Sequence, residues 1–203
     1  TLYDLEYLVD EHGRRVAAFG YWAGFAGAAL SVMSWIAQRD GGLIGPVATY
    51  ASAESMKAEI AESLDSDRPS VLIIGALGRV GTGAGDLCDA LGLPITRWDL
   101  EETAQGGPFP EVFLHDIFLN CIFARPGTPV FVPSDSVSNP RQLRVIGDIA
   151  CDPDSDYNPV PVYTAATTWT APAVRVHDRP PLDVMAIDNL PSLLPVESSK
   201  DYA

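Results

Sequence analysis

Four apolar residues, Val71-Leu72-Ile73-Ile74, run straight into Gly75-Ala76-Leu77-Gly78-Arg79-Val80-Gly81, and no other stretch narrows the fold so far. A short apolar run without alternation predicts a strand buried on both faces, as in a covered parallel sheet. The glycines that follow each have a use. The first lets the chain turn tightly, the second lets a phosphate approach the main chain, and the third lets the next helix pack on the strand. That helix presents free N–H groups and a positive dipole end to a phosphate. The spacing is G-x-x-G-x-x-G rather than the commoner G-x-G-x-x-G, so the flanking elements must carry the inference. A helical pattern continues through Leu87, Cys88 and Leu91, and Gly92 and Pro94 close it. A second short strand, Ile95-Thr96-Arg97-Trp98, ends on an acid, Asp99.

Asp99 lies eighteen residues beyond Gly81. A carboxylate there can accept hydrogen bonds from both hydroxyls of an adenosine ribose and would repel a 2′-phosphate. No Arg or Lys occurs in the following Leu100-Glu101-Glu102-Thr103, so NAD(H) is expected rather than NADP(H). The alternative is a glycine-rich turn in an α/β protein that binds no nucleotide, with Asp99 a solvated strand end. A Walker loop is excluded, because no Gly-Lys-Ser/Thr triplet occurs.

The rest of the chain alternates in the same way. Ser52 is a plausible N-cap for a helix to about Leu64, with Met56, Ile60 and Leu64 on one face. Further buried strands are read at 116–123 and 144–150, with weaker ones at 173–176 and 182–187. The expected fold is α/β, a Rossmann-type parallel sheet with helices on both faces. Residues 1–40 read as a connecting segment with a long buried helix, 41–190 as the nucleotide-binding domain, and 191–203 as a linker or frayed tail towards a further domain. Val16 to Gln38 carries no charge and is long enough to span a bilayer. Its Gly20, Gly24 and Gly27 point instead to a helix packed closely inside protein.

A net charge of −14 argues against nucleic acid and against an anionic membrane surface. Cys88, Cys121 and Cys151 form no C-x-x-C pair, and His12, His115 and His177 show no ligand spacing. Neither a disulfide framework nor a metal site is expected, and a reducing cytoplasm is the default compartment. The run Asp152-Pro153-Asp154-Ser155-Asp156 starts like a calcium loop, but Tyr157 stands where the turn glycine belongs and Tyr163 where the bidentate Glu belongs. It reads as an acidic loop.

With these residues in view, the sequence resembles the saccharopine dehydrogenases of the NAD-dependent, lysine-forming type. The resemblance covers nearly the whole chain. It is most specific at Thr1-Leu-Tyr-Asp-Leu-Glu6, Gly13-Arg-Arg-Val-Ala-Ala-Phe-Gly20, Ala23-Gly-Phe-Ala-Gly-Ala-Ala29 and Val71 to Arg79. Trp98-Asp-Leu-Glu-Glu-Thr103, Gly106-Gly-Pro-Phe109, Asp116-Ile-Phe-Leu-Asn-Cys121 and Ile187 to Pro195 add to it. It implies the reaction of saccharopine, NAD⁺ and water to lysine, 2-oxoglutarate and NADH. It also implies that the acid–base Lys and His belong to an N-terminal catalytic domain upstream of Thr1, so no catalytic residue is assigned within these 203 residues.

For the cofactor NAD, the resemblance implies contacts from Arg14, Gly78 and Arg79 at the pyrophosphate side and from Asp99 and Thr103 at the ribose. Phe123 and Ile149 would line the cleft, with Ile187, Asp188, Asn189 and Leu190 towards the nicotinamide. Arg15, Phe19 and Asp152 would face the substrate. Val80 stands where a cysteine is often found, which removes thiol chemistry with Cys121, and Asn189 replaces a common His. Two other readings remain open here, a noncatalytic NAD-binding module and an alanine dehydrogenase-like enzyme. The Lys and His upstream would separate them.

Overall fold

A computed structural model describes residues 8–12, 15–16 and 18–202. It begins with a long helix, α1 (Gly20–Arg39), and a second, α2 (Ala53–Leu64). Then come β1 (Val71–Ile74), α3 (Arg79–Ala90), β2 (Ile95–Trp98) and a single turn, α4 (Leu100–Thr103). Strands β3 (Ile117–Asn120), β4 (Val145–Asp148), β5 (Ala173–Asp178) and β6 (Pro181–Met185) follow, and α5 (Pro195–Tyr202) closes the chain. The six strands form one sheet in the order β2-β1-β3-β4-β6-β5. Every pairing is parallel except β5 with β6. This is a Rossmann-like α/β arrangement.

The sheet is mostly parallel, as expected, and its one antiparallel pair lies at the edge. Only Arg179 and Pro180 separate β5 from β6, and a parallel return needs a crossover of a dozen or more residues. β3 and β4 are also shorter than their apolar runs suggest. The chain leaves the sheet at Cys121 and at Ile149, although both side chains remain buried. An apolar run marks burial, and burial continues past the last ladder bond.

Each face of the sheet has its own core. Val71, Ile73, Ile117, Leu119, Val145 and Met185 pack with α1, α2 and α3. Leu72, Ile74, Phe118, Ile146, Leu182 and Val184 face the other way, where 3-10 helices and loops supply Val112, Phe131, Val132 and Val160. Phe109, Phe131 and Phe118 meet there edge to face, with ring centroids 5.4 and 6.0 Å apart.

Glycines let α1 sink into this layer. A Cβ on Gly24 would stand 1.8 Å from the Val80 carbonyl oxygen, and one on Gly83 would stand 1.9 Å from that of Tyr21. The two helices therefore touch backbone to backbone. Gly27 leaves room for Ile149 and Leu190, and Gly147 of β4 leaves room for Ser31. The uncharged run from Val16 is thus a packed helix from Gly20 onward. Among the described residues no helix is long and apolar enough to cross a membrane.

The far end of α1 is tied to the sheet by charge. Asp183 is wholly buried in β6 and receives Arg175 Nε at 2.8 Å and Gln38 Nε2 at 2.8 Å. In the stretch after Pro191, read from sequence as linker or frayed end, residues 195–202 form α5. A 3-10 turn at Leu190–Leu193 buries Leu190, Leu193 and Leu194, and α5 returns to the helices. Glu197 Oε1 accepts from the Ala53 N–H at 2.7 Å. Polarity beyond Leu194 concealed a helix that three leucines had already anchored.

Candidate cofactor cleft at the strand ends

Register levels the strand ends. Ile74 pairs with Trp98 on one side and Asn120 on the other, and Asn120 pairs with Asp148. The residues just beyond, Gly75, Asp99, Cys121 and Ile149, therefore line one edge of the sheet. β2 and β3 flank β1 on opposite sides. That makes the end of β1 the point where chain direction across the sheet reverses, the place where open α/β sheets bind ligands.

The glycine loop is built as the sequence requires. Gly75 has φ +87, and a Cβ there would stand 2.7 Å from Ile122 Cγ2. A Cβ on Gly81 would stand 2.1 Å from the Gly75 carbonyl oxygen, so α3 reaches the strand only through glycine. Gly78 is exposed and is the N-cap of α3, with no side chain capping it. By contrast, Ser52 caps α2 and Asp99 caps α4. The N-terminus of α3 is left to whatever lies above the loop. Arg79 is exposed at its first position and donates from Nη1 to the Ala18 carbonyl at 3.3 Å.

Asp99 is half-buried and fixes this loop. Its Oδ2 accepts from the Leu77 N–H and its Oδ1 from the Leu100 N–H, both at 2.9 Å. The Glu102 N–H also reaches this side chain in a capping box, and the carboxylate still has acceptor capacity for a further donor. The Asp99 N–H in turn donates to Glu102 Oε2 at 2.7 Å, and Thr103 Oγ1 donates to the Asp99 carbonyl at 2.8 Å. With Glu101 adjoining, three carboxylates crowd the end of β2. A diol donates comfortably to such a site, whereas a phosphate is repelled.

The other anticipated residues fall into three groups. Phe123 lies beyond β3 and is 81 % exposed, and Asp152, Asp188 and Asn189 are exposed beyond β4 and β6. Ile149, Ile187 and Leu190 lie at the same edge but are buried, Ile149 and Leu190 against α1 at Gly27. At the start of α1, Arg15 is exposed and bridged to Val9, and Phe19 stacks on Tyr202 with ring centroids 4.6 Å apart. Arg14 lies outside the described residues.

Sequence reading passed over a buried polar cluster beneath this edge. Asp148, 1 % exposed at the end of β4, accepts from Asn120 Nδ2 at 2.9 Å and from the Tyr163 hydroxyl at 2.7 Å. The Cys151 N–H lies 3.4 Å from its Oδ1. Burial pushes the Asp148 carboxyl above the usual range, against the opposing pull of the Tyr163 and Asn120 hydrogen bonds. Burial also pushes the Cys121 thiol up, and it raises Cys151 to about 12. The signal available in sequence was a charged residue inside the apolar run Arg144 to Ala150. No group of His, Cys, Asp and Glu among the described residues could hold a metal ion.

No family model matches the chain. Curated relatives do. Saccharopine dehydrogenase [NAD(+), L-lysine-forming] of Yarrowia lipolytica is 46 % identical over 218 residues, and that of Neurospora crassa 46 % over 217. The Candida glabrata protein of the same name is 43 % identical over 218 residues. Each match takes in the whole of this chain but only 58–59 % of the relative. The similarity thus runs along the entire length of the chain, which spans about three fifths of the curated saccharopine dehydrogenases that it matches.

Proposed function

We propose that this chain holds NAD(H) for a lysine-forming saccharopine dehydrogenase, its cleft lying at the C-terminal ends of β1, β2, β3, β4 and β6. The observation that carries this is the joined pair of glycine loop and Asp99. Glycine is sterically required at Gly75 and Gly81, the α3 N-terminus is uncapped, and the carboxylate that orders the loop retains acceptor capacity. These features suit a pyrophosphate followed by an adenosine ribose. Gly78, Arg79 and the first N–H groups of α3 would hold the pyrophosphate, and Asp99 with Thr103 the ribose. Arg14 would join the pyrophosphate side. Phe123, Ile149 and the run Ile187 to Leu190 would flank the nicotinamide half, with Arg15, Phe19 and Asp152 towards saccharopine, lysine or 2-oxoglutarate. When bound, NAD⁺ supplies the hydride acceptor.

This chain's own groups bind and orient, and none is assigned as the acid or base that moves the substrate's protons. Those groups would come from the part of the family's sequence that this chain does not match. We place the protein in the cytoplasm, where small soluble substrates and a reducing environment suit it. Titration of these 203 residues with NADH should give saturable binding, and saccharopine with NAD⁺ should give no NADH. Turnover of about 1–10³ s⁻¹ would relocate the catalytic groups into this chain. Failure to bind NADH would refute the cleft.

A further inference from the structure

Asp148 links the exits of β3 and β4 through its side chain and, by way of Cys151, that of β6. Its Oδ1 accepts from Asn120 of β3, and Asn120 Oδ1 lies 3.5 Å from the Ile122 N–H, the residue against which Gly75 turns. The same Oδ1 faces the Cys151 N–H, in the turn that carries Asp152. Cys151 has φ +49, a conformation uncommon for a residue with a Cβ. Its Sγ donates to the Ala186 carbonyl at 3.0 Å, just before Ile187 and Asp188 of the β6 exit. Tyr163 closes the cluster from the covering loop. By contrast, the loop after β1 and the end of β2 are fixed by Asp99. The two halves of the cleft thus rest on separate carboxylates.

We infer that Asp148 is a positioning residue for the nicotinamide half of the cleft, setting the exits of β3, β4 and β6 relative to one another while leaving the adenosine half to Asp99. The inference rests on the proposed NAD(H) site. Because the carboxylate is buried beneath the edge, it acts through the turns above it rather than by touching the ligand. A fully satisfied buried network of this kind fixes one arrangement, and a partly satisfied one does not.

The test compares two probes, NADH and ADP-ribose, the second having the adenosine and pyrophosphate without the nicotinamide. Asp148→Ala removes the acceptor, Asp148→Asn retains it, and Tyr163→Phe removes one donor while keeping the ring, should Asp148→Ala fail to fold. Calorimetry is expected to show NADH binding weakened about ten-fold in Asp148→Ala and several-fold in Tyr163→Phe. ADP-ribose should stay within about two-fold throughout, and Asp148→Asn should recover most of the NADH affinity. Parallel loss of both probes would mean only a general structural role, and unchanged NADH binding in a folded variant would overturn the proposal outright. If the unmodified chain binds neither probe, the NAD(H) reading falls and takes this inference with it.

Discussion

Alanine placed at Gly83 or at Gly85, two residues apart on α3, should shift stability in opposite directions. Both replacements gain helix propensity, about 1 kcal/mol relative to glycine. At Gly83 the new Cβ would stand 1.9 Å from the Tyr21 carbonyl oxygen and 3.1 Å from the Phe25 nitrogen, both backbone atoms. Neither can rotate away, so α1 and α3 must part by roughly 1.5 Å to reach ordinary contact distance, losing dispersion along their shared face. Overpacking of a close core contact costs about 1–3 kcal/mol, occasionally more. The absence of any flexible partner puts this site at or above the upper end. Net of propensity, Gly83→Ala should destabilise by about 2 kcal/mol, or roughly 4–8 °C in Tm for a domain of this size.

At Gly85 the nearest atom is Arg97 Nη2 at 3.3 Å, the far end of a side chain 43 % exposed and paired with Asp89. It can give by a few tenths of an ångström, so Gly85→Ala should stabilise by about 0.5–1 kcal/mol. Thermal and urea melts followed by circular dichroism on both variants decide the matter. Gly83→Ala as stable as the unmodified chain, or both variants shifted the same way, would refute a backbone-to-backbone contact between α1 and α3.

Asp99→Ala should weaken NAD⁺ by about 1–3 kcal/mol and narrow the preference over NADP⁺; calorimetric titration of both dinucleotides checks this, and an unchanged preference counts against the ribose role. Arg175→Ala leaves the buried Asp183 with Gln38 as its remaining side-chain donor, so urea melts should show a loss of about 3–5 kcal/mol. The Cys88 thiol is raised from 9.0 to about 12 by burial, which favours the protonated folded form. Its contribution to stability should be complete below pH 9 and lost as pH rises towards 12, and a disulfide reagent at pH 8 should find it inert in the native chain and reactive in urea.

The glycine loop, its strand and Asp99 were legible because their requirements are local. A turn at φ +87, a close approach at Gly81 and an acid at a strand end each follow from a few adjacent residues. The Ser52 cap and the Met56, Ile60, Leu64 face of α2 were legible for the same reason. What escaped depends on residues far apart in the chain. Asp148 looked like one polar letter in an apolar run, because its donors come from Asn120 and Tyr163 on other elements. α5 escaped because its own residues are polar, and its anchor is the buried turn before it. The direction of β5 was within reach, since the gap between the two strands was too short for a crossover, but apolar content alone says nothing about direction.

The sunken helix α1 also bears on how the molecule is made. It precedes in the chain the residues that cover it: Ile149 and Leu190 fill the notch at Gly27, and Gln38 bonds Asp183 from 145 residues away. Until those residues exist, a helix with twelve residues destined for burial is covered only in part. Contacts this distant close late and slow the search. The nascent chain should therefore carry a holdase-binding segment at Gly20–Arg39 until β6 completes the sheet beneath it.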